Sequence, residues 1–418
     1  MTLGQLIFFV ILFSFPTTGL LWWWWADRRL ARANSRRGRW ALAAFMLFQL
    51  GAFAWLLLTR FRDMDVRTPI AILTPMYIWH MVLLPLAMLA SVMPWTVFRL
   101  AQGVRRLFTR AQPTVSPSVE ASSGQAVSAS SPSDGPPAGL SRRALLARSV
   151  TLAPPALTLA ATGLAIPRLD EFRTSRFTVP IANLPSELEG LKIAHVTDVH
   201  VGRFSGDALL SRIVERVNAL EADLCLLTGD LIDFSLRDLP PGLEMVRAFR
   251  TRYGSFMCEG NHDLFDGHLA FERAVRDSGV PLLLNEEHTI NIRGQRLQIL
   301  GIRWGDPAAR RASLHTEHAR TTLKLRDPGA VNILLAHHPE AFDVAAEQGV
   351  ALTLAGHTHG GQLMLSPDLG PGPLMYKYWS GQYTKGASHC IVGNGTGNWF
   401  PLRINAPAEI GLITLTRA

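Results

Sequence analysis

The chain is 418 residues long, room for two or three domains, and its 48% hydrophobic content with eleven Trp is high for a wholly soluble protein. Its net charge of +8 is concentrated at one end: residues 1–170 hold 17 Arg, no Lys and 6 Asp+Glu, and the remainder holds 24 basic and 27 acidic residues. Basic charge interleaved with apolar runs excludes a nucleic-acid-binding surface as its explanation and reads as inside-facing loops between membrane spans.

In chain order, Gln5 to Trp25 carries no charge and is long enough to cross a bilayer, and Trp22–Trp25 closes it like an interfacial aromatic belt. A cleavable signal peptide is the rival reading; the lack of a basic n-region and of a small-x-small cleavage site favours the span. An arginine-rich loop, Asp27 to Arg39, leads to a second span from Trp40 to Leu58. A polar turn from Arg60 to Arg67 precedes a third from about Pro69 to Phe98, where Pro75, Pro85 and Pro94 are candidate kinks and His80 is expected to pack, neutral, against neighbouring helices. Residues 1–110 are therefore a membrane region with three transmembrane helices.

Residues 111–140, rich in Ser, Pro and Ala, read as a disordered linker. Residues 141–168 read as a fourth transmembrane helix, short and apolar from about Val150 to Ile166, or as an internal twin-arginine-like signal on Ser141-Arg142-Arg143-Ala144-Leu145-Leu146. The positive-inside rule puts Asp27–Arg39 and Arg99–Arg148 in the cytoplasm, so everything after Ile166 lies on the extracytoplasmic face.

Residues 174–418 have the size of one α/β unit. Apolar strand-like runs recur at Leu191–Val196, Leu224–Leu227, Ser255–Cys258, Leu297–Ile302, Asn332–Ala336, Leu352–Ala355, Ser388–Val392 and Ile410–Thr416, with helical patterns at Gly206–Leu220 and Leu243–Thr251. Such alternation predicts a layered α/β fold with ligands on strand-end loops.

The chemistry-bearing residues sit at those ends. Asp198 and His200 are two apart after one run, so an extended segment turns both to one side. Asp230, in Thr228-Gly229-Asp230, can offer both carboxylate oxygens. Asn261 and His262 share the tight loop Gly260–Asp263, His337 ends another run, and His357 and His359 repeat the two-apart spacing. Asp198, His200, Asp230, Asn261, His337, His357 and His359 are seven candidate ligands, enough for two divalent cations with Asp230 shared. Two ions about 3.5–4 Å apart generate a nucleophile from water and clamp a phosphoryl group, and His262 is then free to protonate the leaving oxygen. Any one of these pairs is commonplace in a turn; all in order, each after a strand, are hard to obtain by chance.

Together Asp198-x-His200, Gly229-Asp230-x-x-Asp233, Gly260-Asn261-His262-Asp263, His337 and Gly356-His357-x-His359 resemble the signature of calcineurin-like metallophosphoesterases. The flanks around Leu191–His200, Asn394-Gly-Thr-Gly and Pro407-Ala-Glu-Ile resemble that superfamily's bacterial membrane-linked branch. The resemblance covers residues 174–418 and implies a two-sheet β-sandwich flanked by helices. It implies one metal on Asp198, His200 and His359, a second on Asn261, His337 and His357, Asp230 bridging, His262 catalytic, and Asp233 and Asp263 as supports. It also implies a metal-dependent phosphoric ester hydrolase in a bacterial cytoplasmic membrane. Mn, Fe and Zn all suit the donor set.

Other histidines fit no spacing: His338 is expected behind the ligands or at the rim, His195 packed inside a strand, and His268, His288, His315, His318 and His389 on the surface or in loops. Cys225, Cys258 and Cys390 are odd in number and read as unpaired; the first two, lying in apolar strands, read as small core residues. Gly360-Gly361-Gln362 and Tyr376–Tyr383 either line an opening or merely pack a loop. Two functional readings follow: a membrane-anchored two-metal phosphoesterase acting on a phosphodiester or phosphomonoester of a lipid or envelope precursor, or a membrane scaffold with a regulatory metallophosphoesterase domain. The intact ligand set with His262 favours the enzyme.

Overall fold

The computed structural model describes residues 3–61, 68–91, 101–102, 141–305 and 314–418, with the backbone alone described at 3–12, 60–61 and 314. The predicted linker 111–140, most of the turn Arg60–Arg67 and the stretch Pro94–Phe98 lie outside the described residues. The chain divides into two compact units, Met1–Val66 with Pro75–Ala161 and Arg67–Thr74 with Thr162–Ala418.

The first unit is helical. Helices Leu3–Arg32 and Arg36–Phe61 are pinned beside their connecting turn by a two-pronged Arg39–Asp27 ion pair at 2.7 and 2.9 Å. The third predicted span is helical from Ile70 to Ile78 and passes through a π turn, Trp79–Leu83. Pro85, which has no N–H to donate to the preceding turn, stands two residues past its end. The fourth span is longer than its apolar stretch suggested: Arg142–Ala165 is one continuous helix, with Pro154 and Pro155 inside it. Among the described residues, Arg36–Thr59, Ile70–Ser91 and Arg142–Arg168 are long and apolar enough to cross a membrane. Trp22 departs from the expected aromatic belt: it is buried and stands edge-on to Trp79, ring centroids 5.1 Å apart. His80 is buried against Phe53 as expected.

The second unit is built on two sheets. One has strand order β1 (Arg173–Ile181), β11 (Glu409–Arg417), β2 (Lys192–Val196), β3 (Leu224–Thr228) and β4 (Ser255–Cys258). The other runs β5 (Glu286–Ile292), β6 (Gln295–Gly301), β7 (Val331–Leu335), β8 (Leu352–Ala355), β10 (Ser388–Val392) and β9 (Gly381–Lys385). Strand alternation sorts side chains into layers. Ile193, Leu226, Ile299, Ile333, Leu354 and Ile413 meet in the core between the sheets. Val196, Leu227 and Met257 point the other way, onto helices Asp207–Ala219, Leu239–Arg247 and His268–Asp277. Leu300 and Leu334 likewise face helices Leu314–Thr322 and Ala341–Glu347. The result is a layered α/β fold, as the strand and helix alternation predicts, and the two-sheet sandwich flanked by helices that the family resemblance implies.

The parallel strands matter most for function: β2, β3 and β4 are mutually parallel, as are β7 and β8, so their C-terminal ends emerge together. One predicted helix begins earlier than expected, at Leu239 rather than Leu243. Pro240 and Pro241 fall in its first turn, where their missing N–H groups are not needed.

Candidate metal centre

Each candidate ligand sits just past the C-terminal end of one of those parallel strands. Asp198 and His200 follow β2, Asp230 follows β3, Asn261 follows β4, His337 follows β7, and His357 and His359 follow β8. The two sheets bring all seven into one cluster. His359 Nε2 lies 3.2 Å from Asp198 Oδ1 and 3.0 Å from His200 Nε2. Beside this triad, His337 Nε2 is 3.2 Å from Asp230 Oδ2, and His357 Nδ1 is 3.0 Å from Asn261 Oδ1. Asp230 Oδ2 also stands 3.6 Å from His200 Nε2, so it faces both groups. Asp198–His200–His359 and Asp230–His337–His357 each converge closely enough to hold a cation.

The backbone is strained where the ligands sit. Asp198, His200, Asp230, His357 and His359 have φ of 52°, 48°, 52°, 71° and 49°, a left-handed conformation uncommon for side-chain-bearing residues. Such strain persists only where surrounding structure over-determines it. Here Asp198 N donates to Gly229 O (3.0 Å) and His200 N to Asp230 O (3.0 Å), tying the first two loops together. His357 N donates to Asp198 Oδ1 at 3.1 Å, tying in the loop after β8. A Cβ on Gly356 would run into Asp198 Oδ2, and one on Gly260 into Asp230 Oδ1, so only glycine lets these loops close on the carboxylates.

Charge is balanced inside the cluster. Burial acts to raise Asp198, and the neighbouring imidazoles of His359, His337 and His200 outweigh it, holding the carboxyl well below the usual range. Asp230 is held down in the same way, burial being overcome chiefly by His337. Burial pushes His357 down to about 3 and His359 down to about 4, which keeps their imidazoles neutral, the form that ligates cations.

His262 differs from the rest. Its Nδ1–H donates to Asp233 O at 2.6 Å, which leaves Nε2 available. Burial lowers its pKa, but the Asp233 hydrogen bond and the Asp230 charge raise it to about 9, so the ring carries a proton at neutral pH. It is half-buried beside the ligand cluster, its ring edge-on to His200 at 4.5 Å. Asp263 accepts from Gly260 N (2.9 Å) and Ile232 N (3.1 Å), clamping the loops after β3 and β4. Asp233 accepts from Arg203 Nη1 at 3.0 Å.

Several neighbours escaped sequence reasoning. Thr197 Oγ1 donates to Asp198 Oδ2 at 2.6 Å. Arg403 Nη2 lies 3.1 Å from His359 Nδ1, and the same guanidinium donates to Gly397 O and Asn394 O. Trp304 lies past the end of β6 and packs on His357 and His337 at 5.0 and 5.3 Å; the strand-end logic that found the ligands could have found it too. His315 is a correction: it is half-buried and stacks flat on His338 at 4.7 Å, because Trp304 offers both rings a wall. His389 is also buried, inside β10, with Nε2 2.8 Å from Pro180 O. His338 stands at the rim, and His195 is buried with Nε2 2.8 Å from Thr228 Oγ1, both as expected. All three Cys are free and buried. From Tyr376–Tyr383, Tyr376 reaches the site, its ring 5.7 Å from His357, whereas Tyr378 donates to Asp343 and Tyr383 accepts from Trp379 N.

Comparison with known proteins agrees with this geometry. Residues 191–361 match the family model of the calcineurin-like phosphoesterases. The chain carries a calcineurin-like phosphoesterase domain. It is 30% identical to an uncharacterized metallophosphoesterase of Campylobacter jejuni over 238 residues, 56% of this chain and 61% of that one. It is 31% identical to a transmembrane protein with a metallophosphoesterase domain from Danio rerio, over 57% of this chain and 56% of that one. It is 29% identical to the phosphodiesterase YaeI of Escherichia coli, over 54% of this chain and 82% of that one. The chain thus spans about three-fifths of the first two relatives' length.

The donor set of the phosphoesterase domain fits the divalent metals its family uses. His337 Nε2 is buried without a hydrogen-bond partner. The His200 and His359 Nε2 atoms face each other beside a carboxylate oxygen, and an amide oxygen, which only accepts, faces His357 Nδ1. Imidazole, carboxylate and amide groups that converge this closely in a buried cluster form a set a cation would satisfy. Imidazole, carboxylate and amide oxygen together suit Mn, Fe and Zn.

Proposed function

We propose that this chain is a membrane-anchored, two-metal phosphoesterase that hydrolyses a phosphodiester or phosphomonoester, with a lipid or envelope precursor as the substrate class. The observation that carries the reading is the pair of adjacent triads, Asp198–His200–His359 and Asp230–His337–His357, on strained loops with Asp230 facing both. Asp198, His200 and His359 would hold one cation and Asn261, His337 and His357 the other, with Asp230 between them. Two cations there would polarise the phosphoryl oxygens and supply an activated water.

The chain's own residues do the rest. Asp263 and the Gly356 and Gly260 contacts hold the carboxylates at fixed positions, so no reorganisation is needed at the moment of reaction. His262, its Nδ1 committed to Asp233 O, protonates the leaving oxygen from Nε2. Trp304 and Tyr376 flank His357 and wall one side of the approach. The phosphodiesterase name of the Escherichia coli relative supports ester hydrolysis, and the complete donor set weighs against a scaffold role.

The arginine-rich N-terminal region supports a multi-pass protein of the bacterial cytoplasmic membrane, with the phosphoesterase domain on the extracytoplasmic face. The test is full-length protein in detergent, stripped with chelator and reloaded with manganese, assayed on bis-aryl and mono-aryl phosphates beside Asp230→Asn and His262→Ala. Metal-dependent turnover abolished by Asp230→Asn supports the reading, and the ester preferred separates diesterase from monoesterase. Turnover indifferent to metal or to Asp230→Asn overturns it.

A further inference from the structure

Large apolar side chains are normally covered, and those left out are scattered. In the phosphoesterase domain they are not scattered. Among the described residues after Leu169, Leu365, Leu369, Leu374 and Met375 are exposed at 75%, 57%, 82% and 68%, and Ile404 at 43%. Phe265, exposed at 50%, follows His262 on the loop after β4, and Leu269, exposed at 66%, lies in the first turn of the helix His268–Asp277. Leu325 alone lies elsewhere.

The Leu365–Met375 segment is ordered. Leu365 N donates to Leu369 O at 2.8 Å and closes a turn, and Met364 N donates to Ile404 O while Ile404 N donates to Gln362 O, both at 2.9 Å. Met364 is buried beneath it, and Asn405 Nδ2 holds Met364 O at 2.9 Å. Leucines held out in this way gain nothing from water, so their fixed exposure calls for an apolar partner.

The segment neighbours the candidate metal centre, and Ile404 is linked through Arg403 and Asn398 to Leu169, just past the apolar helix Arg142–Arg168. The segment opens six residues after His359, and Tyr376, one residue past Met375, stands on His357. Ile404 follows Arg403, whose Nη2 is 3.1 Å from His359 Nδ1 and whose Nε donates to Asn398 Oδ1 at 2.9 Å. Asn398 Nδ2 in turn donates to Leu169 O at 2.7 Å, and Leu169 directly follows the apolar helix Arg142–Arg168. Leu169 to Phe172 is all that separates that helix from β1, a reach of under about 20 Å. A surface tethered so briefly meets the bilayer at a high effective concentration.

We infer that the Leu365–Met375 segment with Ile404 is a bilayer-docking surface, seated in the membrane that the chain's own helices cross. The metal centre would then open at the level of lipid phosphate groups. The use to which the docking is put rests on the phosphoesterase reading, but the docking itself does not.

The test uses the full chain, with Leu374→Cys carrying an environment-sensitive fluorophore, reconstituted in phosphatidylcholine–phosphatidylglycerol vesicles containing nitroxide-labelled lipid in both leaflets. Cys225, Cys258 and Cys390 are buried, so labelling is selective. Thr289→Cys, exposed on edge strand β5, is the reference. Residue 374 should lie about 5–10 Å into the headgroup–acyl boundary and be quenched several-fold more than residue 289. Equal quenching, or a blue-shifted but unquenched probe that reports a protein partner, overturns the docking surface. Bis-aryl phosphate turnover in the same vesicles separates the two ideas: turnover without quenching retires the docking surface, and quenching without turnover retires the phosphoesterase.

Discussion

The metal centre and its rim invert the usual arrangement of a folded protein in opposite senses. At the centre, Asp198, His200, Asp230, His337 and His359 are ionisable groups buried almost completely. At the rim, Leu365, Leu374 and Met375 are apolar groups held in solvent. Each is unfavourable taken alone, and the proposed remedy of each lies outside the chain: cations for the buried donors, a lipid phase for the exposed leucines. The contrast teaches that a departure from ordinary partitioning identifies what a surface binds by the chemistry that would remedy it.

Substitutions can break the comparison from either side. Asp230→Asn should have the largest effect, removing the carboxylate that faces both triads. Turnover on every ester should fall by more than about 100-fold, beyond what loss of a partner behind a ligand produces, with a matching loss of manganese affinity in chelator competition. His262→Ala should lower kcat by roughly 10²–10⁴-fold on alkyl phosphate esters, less on nitrophenyl esters whose leaving group needs no proton, and leave metal content intact. Retained metal with lost turnover would separate His262 from the ligands.

Arg403→Met touches the residue that adjoins both regions, through His359 on one side and Ile404 on the other. It should weaken metal binding by roughly 10–100-fold, read by the same competition. Leu365→Asp should have the smallest and most selective effect. Release of phosphate from phosphatidic acid in vesicles should fall roughly tenfold, the worth of one leucine withdrawn from water, relative to hydrolysis of a soluble aryl ester.

What was legible in the sequence follows the same division between inside and outside. The eight expected strands β2, β3, β4, β6, β7, β8, β10 and β11 are all present, most of them continuous apolar runs because both faces of each sheet are covered. The strands that periodicity missed, β1, β5 and β9, are all sheet edges. Their half-exposed sequences, such as Gly381–Lys385, have too little apolar content to signal a strand. The candidate ligands were legible as a cluster because each sits at the end of a buried strand in a short, chemically distinctive motif. Arg403 was not, since it reaches His359 from 44 residues away and lies between, not within, the flanking Asn394-Gly-Thr-Gly and Pro407-Ala-Glu-Ile stretches. His315 was misread as a surface residue for the same reason: only the folded chain stacks it on His338 beside Trp304. The rim leucines look like ordinary core residues in sequence, and only their exposure distinguishes them.

The measurement closest to the central claim is metal stoichiometry with electron paramagnetic resonance on the chelator-stripped, manganese-reloaded full-length protein. Two manganese ions per chain with an exchange-coupled signal, collapsing to one ion or none in Asp230→Asn, is the predicted result. A single ion per chain, or two that are magnetically independent and unaffected by Asp230→Asn, would contradict a paired centre bridged by Asp230.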